Sequence, residues 1–378
     1  MAESDELPGG TSRGKRGGKP LRVLLDGTPL LGDRTGIGRY TASLSEELAS
    51  LADDVELRAV AFTLRGWRKL RTVLPHDVAA RGMPVPARIL RKLWVRSPLP
   101  PVGLFAGRYD VVHGTNFVLP ASIRGAGVLT IHDLAFLDAP EELAPSDAEL
   151  PELVGRGAAR AHVICTPTEA VADAVAQRLD VDRGKIVVTP LGVDAGWFTG
   201  RPPSPRARQR LGLPSRYLLF AGAPGPRKGL DWLLKAHAAD PSLPPLVFAG
   251  PGRFPRGERR HHVGYLSDVD LQRVVAGASA LVLPSRDEGF GLPVLEAMAC
   301  DTPVVCTDVP ALREVSGGLA HLAPYGDVGA LTAELRAAVD EPDAASAAAT
   351  RRAHAGNFTW LRCAETTLAA YRTAAGTT

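Results

Sequence analysis

The sequence predicts an α/β fold in which two consecutive, doubly wound, Rossmann-like units face each other across a cleft. Three observations carry this. Short apolar runs of the kind found in buried parallel strands alternate with amphipathic helical stretches. The alternation pauses at the polar, proline-rich run Arg201-Pro202-Pro203-Ser204-Pro205 and then restarts. The chain has 378 residues, 45% of them hydrophobic, which is enough for two cores and too much for one small one.

Residues 1–20 are rich in glycine, serine and charge and hold no apolar stretch, so they read as a disordered tail and not as a signal peptide. The first domain is expected over 21–198. It opens with the strand run Arg22–Asp26, a glycine-containing loop at 27–38, and a helix from Tyr40 to Leu51. Further strands are expected at Val55–Phe62, Asp110–His113, Gly127–His132, Ala161–Thr166 and Lys185–Thr189, with helical patterns between several of them. The second domain, 199–357, offers strands at Tyr217–Ala221, Leu246–Ala249, Ala280–Leu283 and Val304–Cys306. From Phe358 through Tyr371 the pattern is that of an amphipathic helix, which closes the chain as a separate segment, 358–378.

Bulk properties exclude several classes of function. A net charge of +3 is too small to make nucleic-acid binding a property of the whole protein. The four cysteines (Cys165, Cys300, Cys306, Cys363) show no CxxC spacing, which argues against a zinc site or a disulfide framework and for a reducing, cytoplasmic setting. No run approaches the roughly 18 apolar residues of a spanning helix. Between Arg58 and Arg96, however, ten Lys or Arg residues stand against one acid, Asp77, in company with Trp67 and Trp94. Such a stretch suits peripheral contact with an anionic membrane, here its inner face; a solvated basic face is the plainer alternative.

In open α/β sheets, ligands bind where loops leave the carboxyl ends of strands. Four such loops stand out. Gly36-Ile37-Gly38 precedes a helix and lets backbone N–H groups approach an anion, though an ordinary tight turn would look the same. It lacks the full dinucleotide fingerprint, so a nicotinamide oxidoreductase is poorly supported. His132 and Asp133 end a strand, where a histidine serves either a reaction or a structural hydrogen bond. Arg227 and Lys228 follow a Gly/Pro-rich loop and suit a diphosphate, with a solvated basic turn as the alternative. The most specific loop is Glu288-Gly289-Phe290-Gly291-Leu292-Pro293, which leads into a helix carrying Glu296. The two carboxylates should lie roughly 10 Å apart, about the span from hexose to ribose in a nucleotide sugar. Two unrelated surface glutamates would not require the glycines and proline between them.

These residues resemble the family 4 glycosyltransferases, also called glycosyl transferases group 1, and most closely the mannosyltransferase-B-like branch. The likeness runs from Leu21 to the C-terminal helix through GIGRY, HGTNFVLP, IHDLAF, PTEAVADAV, VVTPLGVD, PRKGLD, HVGYLSDVDL and LVLPSRDEGFGLPVLEAMACDTPVV. The resemblance implies the GT-B fold, with the last helix crossing back to an acceptor-side first domain, and a retaining, metal-independent transfer of a hexose from a nucleotide sugar. The donor it implies is GDP-mannose, or else a UDP-sugar, with no separate cofactor. The acceptor would be a saccharide, a lipid-linked saccharide or a small molecule. By motif position, Glu288 would hold hydroxyls of the donor hexose and Glu296 the ribose. Arg227 and Lys228 would hold the diphosphate, with Gly36 and Gly38 facing it from the first domain and Gly289, Phe290, Gly291 and Leu292 forming the donor loop. His132 would sit beside the transferred sugar. Backbone groups near Gly264, Tyr265 and Leu266 would face the base. Some relatives carry an arginine where this chain has Ala223, which leaves the phosphate charge here to Arg227, Lys228 and a helix N-terminus.

Two other readings share this fold. One is a sugar-nucleotide epimerase or hydrolase, separable by product formation with and without an acceptor. The other is a catalytically silent nucleotide-sugar-binding protein, against which the full set of Glu288, Glu296, Arg227, Lys228 and His132 argues.

Overall fold

The computed structural model describes residues 19–32, 36–63, 66–83, 85–97, 99–341 and 344–376. Residues 1–18 of the expected tail lie outside the described residues, as do 33–35 of the first glycine loop and 64, 65 and 84 of the basic segment.

Seven parallel strands build the first sheet: β1 (Leu21–Asp26), β2 (Val55–Phe62), β3 (Ala79–Met83), β4 (Val111–Gly114), β5 (Ala126–Thr130), β6 (Val163–Thr166) and β7 (Ile186–Val188). Their order is β3-β2-β1-β4-β5-β6-β7. Val23 of β1 pairs with Leu57 of β2 on one side and Val111 of β4 on the other. Six more parallel strands build the second sheet: β8 (Leu218–Ala221), β9 (Leu246–Ala249), β10 (Arg260–Gly264), β11 (Ala280–Leu283), β12 (Val304–Thr307) and β13 (His321–Ala323), in the order β10-β9-β8-β11-β12-β13. The interior strands β4, β5, β6, β9, β11 and β12 are buried along their whole length, as expected for parallel strands covered on both faces. In each sheet the strand order reverses direction once, between β1 and β4 and between β8 and β11. The carboxyl ends at those reversals are the crevices in which such sheets bind ligands.

Every strand expected from the sequence is present, with ends shifted by up to two residues. β3, β10 and β13 are additions, all on sheet edges. The first helix, Gly36–Ser50, begins four residues before its expected start, so Gly36 and Gly38 lie in its first turn and not in the loop before it. The C-terminal helix, Trp360–Ala375, buries Cys363, Leu368 and Tyr371 against the first helix and against β4, β5 and β6. Inside that contact, the Tyr371 hydroxyl lies 2.7 Å from His113 Nδ1, His113 Nε2 lies 2.7 Å from Thr130 Oγ1, and the Tyr40 hydroxyl lies 2.9 Å from the same Thr130 oxygen. Burial pushes His113 down to about 3, so this network is uncharged.

The basic segment runs from the end of β2 through a turn at Trp67–Lys69, a short helix at Leu70–Val73 and edge strand β3 to a helix, Ala87–Arg96. Trp94 is not available to a membrane: it is 3% exposed, packs edge-on against Phe62, and donates its Nε1–H to the Pro100 carbonyl. The opposite face of this helix presents Ile89 and Leu93, both exposed, among Arg88, Lys92 and Arg96.

Candidate active site

The loop after β8 and the loop after β11 leave adjacent strands at the reversal of the second sheet. They are stitched together by the Arg286 N–H, which donates to the Arg227 carbonyl at 2.8 Å. Gly229 adopts φ +61°, and a Cβ there would fall 1.9 Å from the Pro284 carbonyl oxygen. Only glycine lets the two loops pass this closely. The result sets the Lys228 ammonium 2.6 Å from Glu288 Oε1. Burial pushes the Glu288 carboxyl up, but Lys228 and then Arg227 outweigh it and hold this acid below its ordinary range. Glu288 is therefore an ionised acceptor beside a cation.

Arg227 reaches across the cleft to Asp133 of the first domain, Nη1 to Oδ2 3.1 Å. Asp133 follows His132, whose ring is 9% exposed and meets Tyr40 and Phe117 edge-on. His132 Nε2–H donates to the Thr115 carbonyl at 2.9 Å, which leaves Nδ1 as the acceptor nitrogen. Burial lowers its pKa, so the ring is neutral near pH 7.

Gly289 owes its identity to this same approach of the domains: a Cβ there would stand 1.8 Å from the His132 carbonyl oxygen. Its own carbonyl accepts from Thr168 Oγ1 of the first domain at 3.0 Å. Phe290 is buried against Phe358, and Leu292 is buried in the core. Gly291, at φ +84°, turns the chain into the helix Leu292–Ala299, with Pro293 in its first turn.

On that helix Glu296 is 5% exposed, and its Oε1 lies 2.6 Å from Arg39 Nη1. Burial raises the Glu296 carboxyl, and Arg39 offsets only part of the rise. Arg39 also reaches Asp194 at 3.2 Å and stands over the Trp197 ring. It belongs to the first turn of the first helix, beside Gly38, so the GIG turn faces Glu296 across the cleft. A further contact crosses the gap where Glu314, on the helix Pro310–Ser316, accepts from the Glu169 and Ala170 N–H groups at 2.9 and 3.0 Å. Those are free donors at the start of the helix Glu169–Arg178. Tyr265 and Leu266 follow β10; Tyr265 is 72% exposed and Leu266 half-buried.

His132, Arg227, Lys228, Glu288, Gly289 and Glu296 are thus tied, by the contacts above, to one interdomain cleft, and Gly36 and Gly38 lie in the helix turn of Arg39, which reaches into it. A cavity of about 140 Å³ lies beside Glu288, walled by Asp133, Asp287, Val171 and Pro310 from both domains. Burial and the nearby Asp133 raise the Asp287 carboxyl. Arg39 and Asp287 received no role from the sequence. The one signal for Arg39 was its place beside Gly38 at a helix start. Among the described residues no group of three or more His, Cys, Asp or Glu side chains is placed to hold a metal ion, and no helix is long and apolar enough to cross a membrane.

Comparison with known proteins agrees with this architecture. Residues 215–341 match the family model for glycosyl transferases group 1, and residues 35–192 match that for the glycosyl transferase 4-like domain. An O-antigen chain mannosyltransferase B of Escherichia coli is 31% identical over 69% of this chain and 74% of its own length. A D-inositol 3-phosphate glycosyltransferase of Actinosynnema mirum is 32% identical over 97% of this chain and 94% of its own. Among solved structures, sucrose-phosphate synthase from Thermosynechococcus elongatus superposes with a TM-score of 0.70 at 20% identity, covering 93% of this chain and 98% of that one. The Anabaena protein HepE, solved in complex with UDP-glucose, does so with 0.68 at 18% identity, covering 92% and 98%. Two facing parallel-sheet domains, family matches across both, and relatives named as glycosyltransferases lead to one assignment: the chain is a glycosyltransferase of the glycosyl transferases group 1 family, with the GT-B fold.

Proposed function

We propose that the chain moves a hexose, mannose in the first instance, from a nucleoside-diphosphate sugar to an acceptor hydroxyl with retention of configuration. The observation that carries the donor half is the pairing of Lys228 with Glu288 at 2.6 Å, with Arg227 beside them, where the two domains face each other. GDP-mannose is the preferred donor because a relative is named as a mannosyltransferase; a UDP-sugar is second, since a structural neighbour was solved with UDP-glucose. Glu288 accepts hydrogen bonds from the hexose hydroxyls, Glu296 from the ribose, and Arg227 and Lys228 hold the diphosphate against the first turn at Gly36 and Gly38. Gly289, Gly291 and their neighbours shape the loop around the sugar, and the base lies by Tyr265 and Leu266. No metal or cofactor beyond the donor takes part.

In the transfer, the bond from the anomeric carbon to the diphosphate oxygen breaks and its electron pair stays on that oxygen. Arg227 and Lys228, already in place, stabilise the developing charge without reorganising. The acceptor oxygen bonds to the anomeric carbon on the same face, and its proton passes to the leaving phosphate. His132, neutral, presents Nδ1 to a hydroxyl of the sugar. Closure of the domains precedes the step, since both supply contacts. The acceptor is a saccharide, a lipid-linked saccharide or a small molecule. The exposed Ile89 and Leu93 among Arg88, Lys92 and Arg96 favour an enzyme that works at the cytoplasmic face of a membrane.

Thermal-shift and calorimetric screening against nucleotide sugars, followed by NMR assignment of the product's anomeric configuration, tests this reading. A product of inverted configuration, or a trapped covalent sugar–enzyme adduct, would overturn the mechanism. Turnover without any acceptor would instead favour an epimerase or hydrolase.

A further inference from the structure

The run VVTPLGVD ends on Asp194, to which neither the fold nor the donor site has given a task. Asp194 stands where the chain passes from the first domain to the second. β7 lies behind it, and the short helix ahead of it, Ala195–Phe198, packs on the helix that carries Glu296. An aspartate directly before a helix ordinarily accepts from the N–H groups of the first turn. Asp194 makes no such bond. Both its oxygens are spent on other partners: Oδ1 accepts from the Trp360 Nε1–H at 2.8 Å, and Oδ2 from Arg39 Nη2 at 3.2 Å.

Trp360 opens the C-terminal helix, where the chain has just returned to the first domain. The outward and return passages run side by side. The Val193 N–H donates to the Phe358 carbonyl at 3.0 Å, and a Cβ on Gly192 would fall 2.2 Å from the Trp360 nitrogen. Hinges between domains are a few loop or element-terminal residues that absorb the rotation, and these passages are such residues. The other end of the same chain of contacts lies in the donor site. Arg39 Nη1 meets Glu296 Oε1 at 2.6 Å, and the guanidinium stands over Trp197, 5.9 Å from the ring centre. A planar guanidinium gripped at two corners by carboxylates and backed by an indole is held in one orientation.

We propose that Asp194 is a positioning residue of this enzyme: it holds Arg39 against the Glu296 end of the donor and, through Trp360, fastens that contact to the paired passages between the domains. A ribose hydroxyl bonded to Glu296 competes with Arg39 for the carboxylate, and Asp194 keeps the guanidinium in place while the two share it. Occupation of Glu296 by a nucleotide is thereby felt at the hinge. The link to the donor rests on the glycosyl-transfer reading. The tie from Glu296 through Arg39 and Asp194 to Trp360 rests on those four side chains alone.

The test is calorimetry with UDP and GDP, together with hydrogen exchange read by mass spectrometry across 190–198 and 356–362, both on the full chain. Asp194→Asn keeps an acceptor for Trp360 and discards the charge that holds Arg39. It should weaken nucleotide affinity about fivefold or more. In an Arg39→Ala background the same substitution should change affinity by less than about twofold, because a residue that acts through Arg39 then has nothing to act on. Trp360→Phe keeps an aromatic ring in place and removes the N–H. Without nucleotide it should speed exchange of both passages several-fold, and it should erase the slowing that UDP or GDP causes there in wild type. Melting curves confirm that each variant folds, and the two substitutions probe opposite ends of the contact, so either one alone can refute it. Wild-type affinity in Asp194→Asn, a full further loss in the Arg39→Ala background, or wild-type exchange in Trp360→Phe would overturn the proposal. If neither UDP nor GDP binds the wild type, the donor assignment fails instead, and exchange in Trp360→Phe without nucleotide still decides the tie to the hinge.

Discussion

Arg39 and Glu296 come from opposite domains, and their side chains meet at 2.6 Å in the cleft. This pair links the start of the first helix to the carboxylate assigned to the ribose, so the two halves of the enzyme are joined at a position the donor would also use.

Breaking that pair should cost stability in a pH-dependent way. Burial lifts the Glu296 carboxyl above its ordinary range, with Arg39 opposing. The folded state thus holds this proton more tightly than the unfolded chain, and the group's contribution to stability falls as pH climbs through the folded value. Removing Arg39 lifts the carboxyl further. Arg39→Ala should lose roughly 3 kcal/mol at about pH 8, the low end for a buried pair because Arg39 is partly exposed, and less at about pH 5. Urea unfolding at both pH values checks this, and an equal loss at each would mean that Glu296 does not feel Arg39.

Lys228→Ala should reduce kcat by about a hundredfold or more, the usual consequence of deleting a donor aimed at a leaving oxygen. The same change removes the main charge holding Glu288 below its ordinary range, so the acidic limb of the pH–rate profile should move to higher pH. A variant with unaltered kcat would contradict the diphosphate role.

Glu296→Ala acts on binding. Nucleotide affinity by calorimetry should weaken by about tenfold, in line with losing a charge-assisted hydrogen bond. Equal affinity in variant and wild type would remove Glu296 from the ribose site.

At Gly289 the expectation is steric. An added methyl would meet the His132 carbonyl, so Gly289→Ala must push the domains apart or shift the loop. We expect transfer to fall by more than about tenfold with the core of each domain intact, since close backbone contacts do not yield as side chains do. Small-angle scattering together with kinetics reads both effects; wild-type values in each would show the contact to be dispensable.

Vesicle flotation tests the basic helix. Wild type should float with vesicles containing anionic phosphatidylglycerol and not with neutral phosphatidylcholine, and Ile89→Ser/Leu93→Ser should reduce flotation several-fold. Recovery of wild type in the pellet with both lipids would leave the helix a solvated surface.

The interior strands were legible because burial on both faces demands unbroken apolar runs, as in Ala280–Leu283 and Leu246–Ala249. Edge strands face solvent along one side, so Ala79–Met83 and Arg260–Gly264 carry arginine, histidine and glycine and left no such run. The donor loops were legible for a related reason: glycines packed between charges are tolerated where backbone must come close, and Gly229 and Gly289 each meet a carbonyl. Trp94 misled because composition does not say which face of a helix a residue occupies. Arg39 was silent because its meaning lies in partners supplied by distant parts of the chain, Asp194 and Glu296.

The hydrogen bond between His113 and Tyr371 also bears on how the molecule is made. A ribosome releases β4 long before the helix Trp360–Ala375 emerges, so the first lobe waits, with part of its interior uncovered, until the strands of the second lobe have been made. Order of synthesis and order of completion run in opposite senses here: the lobe begun first is sealed last.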